Sequence, residues 1–444
     1  MSARCSYRLL TGAVLLAMAA TSSANDHQLT LEQVQRKDGL ELGASPAQAT
    51  MTVPLSGIPN AEQAERWLDQ MPVVRQAQEA IQASRHSGAA IAASPHEWTV
   101  TAQGQRRNYR DAAERRSNEW NLQLERPFRI NGKAGLDSKL GSIESEIALA
   151  KYGESRHEAA LVLAGAWTDT LVAQGNLKVM REQLAFSESM HAAVSKRKRA
   201  GDASQMELNL AEADVVDMQR QVNLAELTLR KAEATLKSQF PEAQPNLDLV
   251  KQDGIPSWTE PAWRTRAISE SDELKLAQAE LTKAKLTADR VQADRVPDPT
   301  FGVYTGSEAR RSERVYGVTM SIPLSGTYRE QKMLQALKEV DVAQAEFDKR
   351  NQQLQIKLTQ RWLDGSGARS RSAIITKNAS LATENARMMQ RAYTLGEVDF
   401  QASLLAKKQA LDASRQALET RMDVFRSTLE QAIDAHWIWG LDQD

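Results

Sequence analysis

Carboxylates gather beside two glycines: Asp202 and Glu207 follow Gly201, and Glu397 and Asp399 follow Gly396. Acidic groups on tight turns can attract cations or line a constriction. The same residues also fit helix ends. Ser204 and Glu207 have the spacing of a capping box, and each glycine suits the left-handed residue that closes a helix. The basic run KRKR (196–199) lies directly before Gly201. It suits a helix C-terminus, where each cation gains roughly 0.3–1 kcal/mol from the dipole, or a contact with a partner protein. Little other chemistry is legible. His27, His86, His96, His157, His191 and His436 show no ligand spacing, and Cys5 is the single cysteine, so no metal site is expected. No Ser-His-Asp order, phosphate loop or H-E-x-x-H stands in the chain. The expectation is a protein with no catalytic residues and no cofactor.

The elements that carry the two glycines repeat. EWNLQLERPF (119–128) overlays VYGVTMSIPL (315–324) with Trp120 on Tyr316, Leu122 on Val318, Leu124 on Met320 and Pro127 on Pro323. At the same shift, within a residue, Trp167 matches Trp362 and Gly201 matches Gly396. Landmarks sharing one register indicate a duplication. Each half reads as a short helix (61–83 and 269–290), a hairpin (about 97–128 and 299–323), a very long helix (about 134–199 and 328–395) and a second long helix (about 204–238 and 399–435). The halves then span 61–239 and 263–436. An irregular segment (25–60) precedes them, a proline-rich linker (240–262) with Pro241, Pro245, Pro256 and Pro261 separates them, and a tail (437–444) follows.

Apolar residues in the helices follow 3-4 spacing, as in Leu208, Ala211, Val215, Met218 and Val222, or Leu404, Leu411, Leu418 and Phe425 at steps of seven. Such spacing implies left-handed supercoiling. The strands alternate instead. Trp120, Leu122 and Leu124 share one face against Asn121, Gln123 and Glu125; Tyr316, Val318 and Met320 share one against Gly317, Thr319 and Ser321. An apolar face with aromatics over about ten residues is the pattern of a membrane β-barrel strand. The N-terminus agrees: two arginines, an apolar run and Ser22-Ser23-Ala24 suit a secretory signal peptide over 1–24. Net charge −1 with 5% aromatics argues against a nucleic-acid partner. Four strands cannot close a barrel, and open edges in lipid leave backbone groups unpaired, so the chain is expected to assemble with copies of itself. Three copies would give twelve strands and a wet interior.

The order of elements, the duplication, the strand-to-helix turns RPFRING (126–132) and IPLSGTYRE (322–330), and the glycine breaks resemble the TolC family of outer-membrane efflux channels over essentially the whole mature chain. The resemblance implies a mainly α protein with a membrane β-barrel: a homotrimer with a 12-stranded barrel in the outer membrane of a Gram-negative bacterium and an α-helical barrel in the periplasm. It also implies a passive conduit for an inner-membrane pump of the RND type, joined through a periplasmic adaptor. RVPDPTFGVYTG (295–306) is similar to the branch serving heavy-metal pumps, which implies metal cations as cargo. Adaptor docking and the periplasmic gate fall on Arg199, Gly201, Asp202, Ser204, Leu395, Gly396, Glu397 and Asp399; lipid contact falls on Trp120, Leu122, Leu124, Tyr316, Val318 and Met320. One departure stands out: some relatives carry aspartate rings six and nine residues beyond the second glycine, where this chain has Ala402 and Leu405. The competing expectation is a periplasmic coiled-coil adaptor.

Overall fold

The computed structural model describes residues 53, 55–108, 110, 116–250, 258–309 and 312–441. The expected signal peptide (1–24), most of the irregular segment (25–60), part of the linker and the end of the tail lie outside the described residues. The first half runs α1 (Ala61–Gln70), α2 (Pro72–Ala93), β1 (Thr99–Asn108), β2 (Arg116–Pro127), α3 (Lys133–Ala200) and α4 (Gln205–Gln239). The second runs α5 (Glu260–Glu270), α6 (Asp272–Ala293), β3 (Thr300–Glu308), β4 (Glu313–Ser321), α7 (Thr327–Leu395) and α8 (Phe400–Asp434). The 68 residues of α3 and 69 of α7 each extend about 100 Å by helix rise.

The short helix expected at 61–83 is in fact two, and the one expected at 269–290 is α6, with a separate helix, α5, before it. Pro72 carries no N–H and pushes Met71 into extended backbone (ψ 135°), so α1 stops there and α2 starts with proline in its first turn. In the second half Ser271 makes the break, its hydroxyl accepting from the Leu274 N–H. The tail also differs from expectation. Trp439 and Leu441 are buried in the main core, and Trp439 Nε1 donates to the Pro59 carbonyl at 3.1 Å.

That core joins both halves. It contains Trp67 and Leu68 of α1, Leu163, Trp167 and Leu171 of α3, and Met422, Phe425 and Leu429 of α8. Two tryptophan pairs recur in it and beside it: Trp67 lies 6.4 Å from Trp167, and Trp263 lies 5.8 Å from Trp362. Nearer the strands, α2 and α3 touch backbone to backbone. A Cβ on Gly88 would stand 2.3 Å from the Gly141 carbonyl oxygen, so only glycine permits that crossing.

The strands form one antiparallel sheet in the order β1-β2-β3-β4. Its seat on the helices is a buried charge knot. Lys133, 1% exposed, donates from Nζ to the Val296 carbonyl at 2.7 Å and to Asp298 at 2.8 Å, with Asp294 at 3.1 Å. Arg129 and Arg290 both bind Asp137, and Asp298 also accepts from the Ile130 N–H. The motif RVPDPT thus anchors the second hairpin to the start of the first long helix.

A second polar cluster lies where α3, α6, α7 and α8 meet. His157 Nε2 stands 3.5 Å from Asp434, Arg361 reaches Asp434 at 3.0 Å and also pairs with Glu430, and the His157 and His436 rings are 5.6 Å apart. Burial opposes ionisation of Asp434, yet the hydrogen bond from His157 and the charge of Arg361 hold its carboxyl below the usual range. Burial and neighbouring His157 push His436 down to about 3. Burial raises Glu154 and Asp272, with His157 opposing at Glu154 and Lys275 at Asp272.

The sign for His436 is fixed by its direction. A histidine whose folded pKa is depressed keeps its full contribution above its unfolded value and loses it as pH falls toward the folded one. The raised carboxyls act oppositely, contributing below their ordinary pKa and losing that contribution as pH rises. Between pH 6.5 and about 3, His436 should lower stability by about 1.4 kcal/mol per pH unit. His436→Asn should remove that slope, because asparagine tolerates the φ of 53° found there. Thermal unfolding followed across the window checks this, and an unchanged slope in the variant would refute it.

Candidate functional site: the sheet faces and the helix tips

Strand register decides which side chains share a face. Val100, Leu124, Val303 and Val318 stand in one row across the sheet, and Ala102, Leu122, Thr305 and Tyr316 in the next. Trp120 and Met320 lie on the same face by alternation. The six strand residues singled out in the sequence are therefore brought together, and they are 37% to 83% exposed. The opposite face is polar and more covered. Glu119 is buried, accepting from Gln105 at 2.8 Å and facing Arg107 at 3.2 Å, and Gln123 donates to Glu125 at 2.7 Å. The Tyr304 ring lies across Gly317, where a Cβ would meet it at 2.4 Å. Along β2, β3 and β4 burial is inverted relative to a water-soluble sheet, with apolar side chains outside and polar ones more sheltered, while β1 is exposed on both faces. Among the described residues no helix is long and apolar enough to cross a membrane.

The two helix tips share one geometry. Gly201 (φ 86°) and Gly396 (φ 77°) are left-handed. The Gly201 N–H donates to the Lys198 carbonyl and the Asp202 N–H to that of Arg197; the Gly396 N–H donates to Tyr393 and the Glu397 N–H to Ala392. Both are Schellman closures. Three residues beyond each glycine the next helix is capped. Ser204 accepts from the Glu207 N–H at 3.0 Å, with Glu207 returning to the Ser204 N–H, and Asp399 accepts from the Ala402 N–H at 2.7 Å. Because Ala402 stands where Glu207 does, the second cap lacks the reciprocal half of the box. Arg199, Asp202, Leu395 and Glu397 are exposed. Of the acidic candidates, Glu207 and Asp399 are thus helix caps, while Asp202 and Glu397 project from the turns.

The structure adds residues that spacing did not single out. Val194 and Ala211 of the first hairpin of helices pack with Tyr393 and Phe400 of the second. The Tyr393 and Phe400 rings meet edge-on at 5.6 Å, and the Arg197 guanidinium lies 5.0 Å above Tyr393. Arg197 also donates to the Asp202 carbonyl. One basic residue of KRKR is therefore a clasp between the two tips. Among the described residues no group of three or more His, Cys, Asp or Glu side chains could hold a metal ion.

No protein-family model matches the sequence, and comparison with characterised proteins finds no relative. Solved structures do match. The chain is similar to the outer-membrane channel OprN, with a TM-score of 0.73 at 15% identity over 86% of this chain and 91% of that one. It is similar to VceC, an outer membrane protein of Vibrio cholerae, with a TM-score of 0.70 at 14% identity over 85% and 96%. It is similar also to the MtrE outer membrane channel of Neisseria gonorrhoeae in its open state, with a TM-score of 0.65 at 15% identity over 88% and 92%. At such identities the likeness concerns the path of the backbone. The likeness shows the fold alone: the chain shares the backbone path of these solved outer-membrane channels.

Proposed function

We propose that the protein is the outer-membrane channel of a tripartite efflux system, a passive conduit that performs no chemistry. The observation that carries this reading is the inverted burial of the sheet: an exposed band of Trp120, Leu122, Leu124, Tyr316, Val318 and Met320 backed by a sheltered polar face. In the proposed assembly three copies close a 12-stranded barrel in the outer membrane of a Gram-negative bacterium, and the long helices extend into the periplasm. The residues 61–239 and 263–436 act as two half-repeats of the tube. A periplasmic adaptor docks at the tips and links the channel to an inner-membrane pump of the RND type, with heavy-metal cations as the proposed cargo. Self-association is supported by the helices: Ile374, Leu381, Met388 and Leu395 recur every seven residues along α7 and are all more than half exposed. A coiled-coil adaptor is the weaker reading, because it leaves the apolar strand face without a purpose.

Assembly gives the first test. Native mass spectrometry of the detergent-solubilised protein should return a trimer; a folded monomer with its full β content by circular dichroism would sink the reading. Strand faces give the second. Leu122→Arg or Val318→Arg should cost about 2–4 kcal/mol near the bilayer midplane, whereas Gln123→Arg or Thr319→Arg should be tolerated better in refolding titrations into vesicles. Equal tolerance at all four positions would mean that the faces are reversed or that lipid is not the solvent. The tip gives the third. Glu397→Gln with Asp399→Asn should lower cation selectivity in planar bilayers without loosening α8, since asparagine keeps the cap acceptor. Gly201→Val with Gly396→Val should weaken efflux. No atom crowds either site, so the strain comes from φ alone, roughly 1–2 kcal/mol per residue. Unchanged selectivity would leave Asp399 as a helix cap and Glu397 as a solvated turn residue, and full efflux would remove the tips from the mechanism.

A further inference from the structure

The charges of the sheet are sorted by face. Alternation from the register places Glu119, Glu125, Glu308 and Glu313 on the sheltered side. On the apolar side the described strand residues include no Asp or Glu, yet four arginines stand there. Arg126 is engaged at the helix end of the sheet, donating to the His96 carbonyl at 3.0 Å with its guanidinium 5.6 Å from the Trp98 ring. The other three, Arg106, Arg116 and Arg314, are exposed and collect at the far end. Arg106 stands opposite Asn118, Arg116 opposite Asn108, and Arg314 opposite Ser307. Inward from Arg106 and Arg116 lies Trp120, level with Arg314, and one row further in lies Tyr316, beside Leu122 and Thr305.

Arg106 and Arg116 occupy diagonal positions on paired strands, roughly 7–8 Å apart. Arg314 lies two strands from β2 and level with Trp120, four residues short of Arg116, so roughly 16 Å separates the two. The Arg106 Nε donates to Asn118 at 3.2 Å, which fixes the guanidinium plane and leaves its outer N–H groups directed away from that bond. Aromatic side chains at the border of an apolar band mark the depth at which lipid headgroups begin, and a guanidinium fork matches phosphate oxygens bidentately. Facing water alone, Arg106 and Arg116 would repel each other; a phosphate bound between them removes that repulsion, and Arg314 offers a second fork at the depth of Trp120.

We propose that Arg106, Arg116 and Arg314 form a binding site for the headgroup phosphates of anionic lipid in the leaflet at the far end of the sheet. The site rests on the channel reading and specifies which lipid surrounds the barrel. Arg107, on the opposite face and paired with Glu119, takes no part.

The protein is mixed with vesicles of phosphatidylcholine, with or without a minor fraction of diphosphorylated lipid A. Flotation is read first, then the lipid retained after extraction into detergent is quantified. The wild-type protein should float and retain lipid A in excess over its share of the vesicle. Each arginine replaced should lower that preference roughly fivefold, the factor to which about 1 kcal/mol per basic residue amounts. R106Q/R116Q/R314Q should therefore retain the two lipids in the vesicle ratio, R106K/R116K/R314K should keep most of the preference, and R107Q should behave as wild type. A protein that does not float overturns the channel reading together with the site. One that floats while the glutamine triple variant keeps its preference overturns the site alone, as does inorganic phosphate binding to the detergent-solubilised protein as tightly as lipid A does, which would make free anion the ligand.

Discussion

Lys133 sits in a place where a cation cannot remain unpaired. At 1% exposure its charge is tolerable only because Asp294 and Asp298, both from the approach to β3, converge on it; breaking such a buried set by removing one partner costs about 3–5 kcal/mol. The consequence reaches well beyond the knot. It holds the base of the second hairpin against the first turn of α3, and so puts β3 beside β2. Only in that order do the apolar rows of the two hairpins run on from one to the next, Leu124 to Val303 and Leu122 to Thr305. The continuous outer band is thus a product of electrostatics at its lower rim.

The same sheet leaves β1 paired on one side only, and β4 likewise. In water such edges invite aggregation; in hydrocarbon each unpaired group costs several kcal/mol. On the proposed reading, the assembly follows from this cost, and the seven-residue stripe on α7 extends the same requirement down the helices. Internal duplication supplies both halves of the solution. The tryptophan pairs Trp67–Trp167 and Trp263–Trp362 show one packing solution used twice within a single chain.

Local signals were legible in the sequence, and pairings between distant elements were not. The left-handed glycines, the Ser204 cap and the strand faces depend on residues within a few positions of one another, and alternation or spacing reveals them. Pro72 carried an equally local signal for the α1–α2 break, but apolar periodicity on either side of it masks the interruption. Spacing alone gave no means of seeing that Arg197 meets Tyr393, that Trp439 returns to Pro59, or that Lys133 needs Asp298, because each contact joins elements whose relative placement only the fold supplies. Among the acidic residues of the tips, Glu207 is marked as a cap by its spacing from Ser204, whereas only the structure separates the cap Asp399 from Asp202 and Glu397 on the turns, because composition does not distinguish an N-cap position from a turn position.

The clasp of Arg197 on Tyr393 has an energetic meaning. Two helical hairpins that each extend for many turns meet near their ends in a small buried apolar cluster and one cation over a buried ring, the latter worth about 2 kcal/mol when desolvated. Thermal energy is about 0.6 kcal/mol, so the clasp outweighs ordinary fluctuation. Its reach is geometric: Arg197 ties the Asp202 carbonyl of one tip to the Tyr393 ring of the other, so the two turns keep a fixed relation that neither closing hydrogen bond alone would impose.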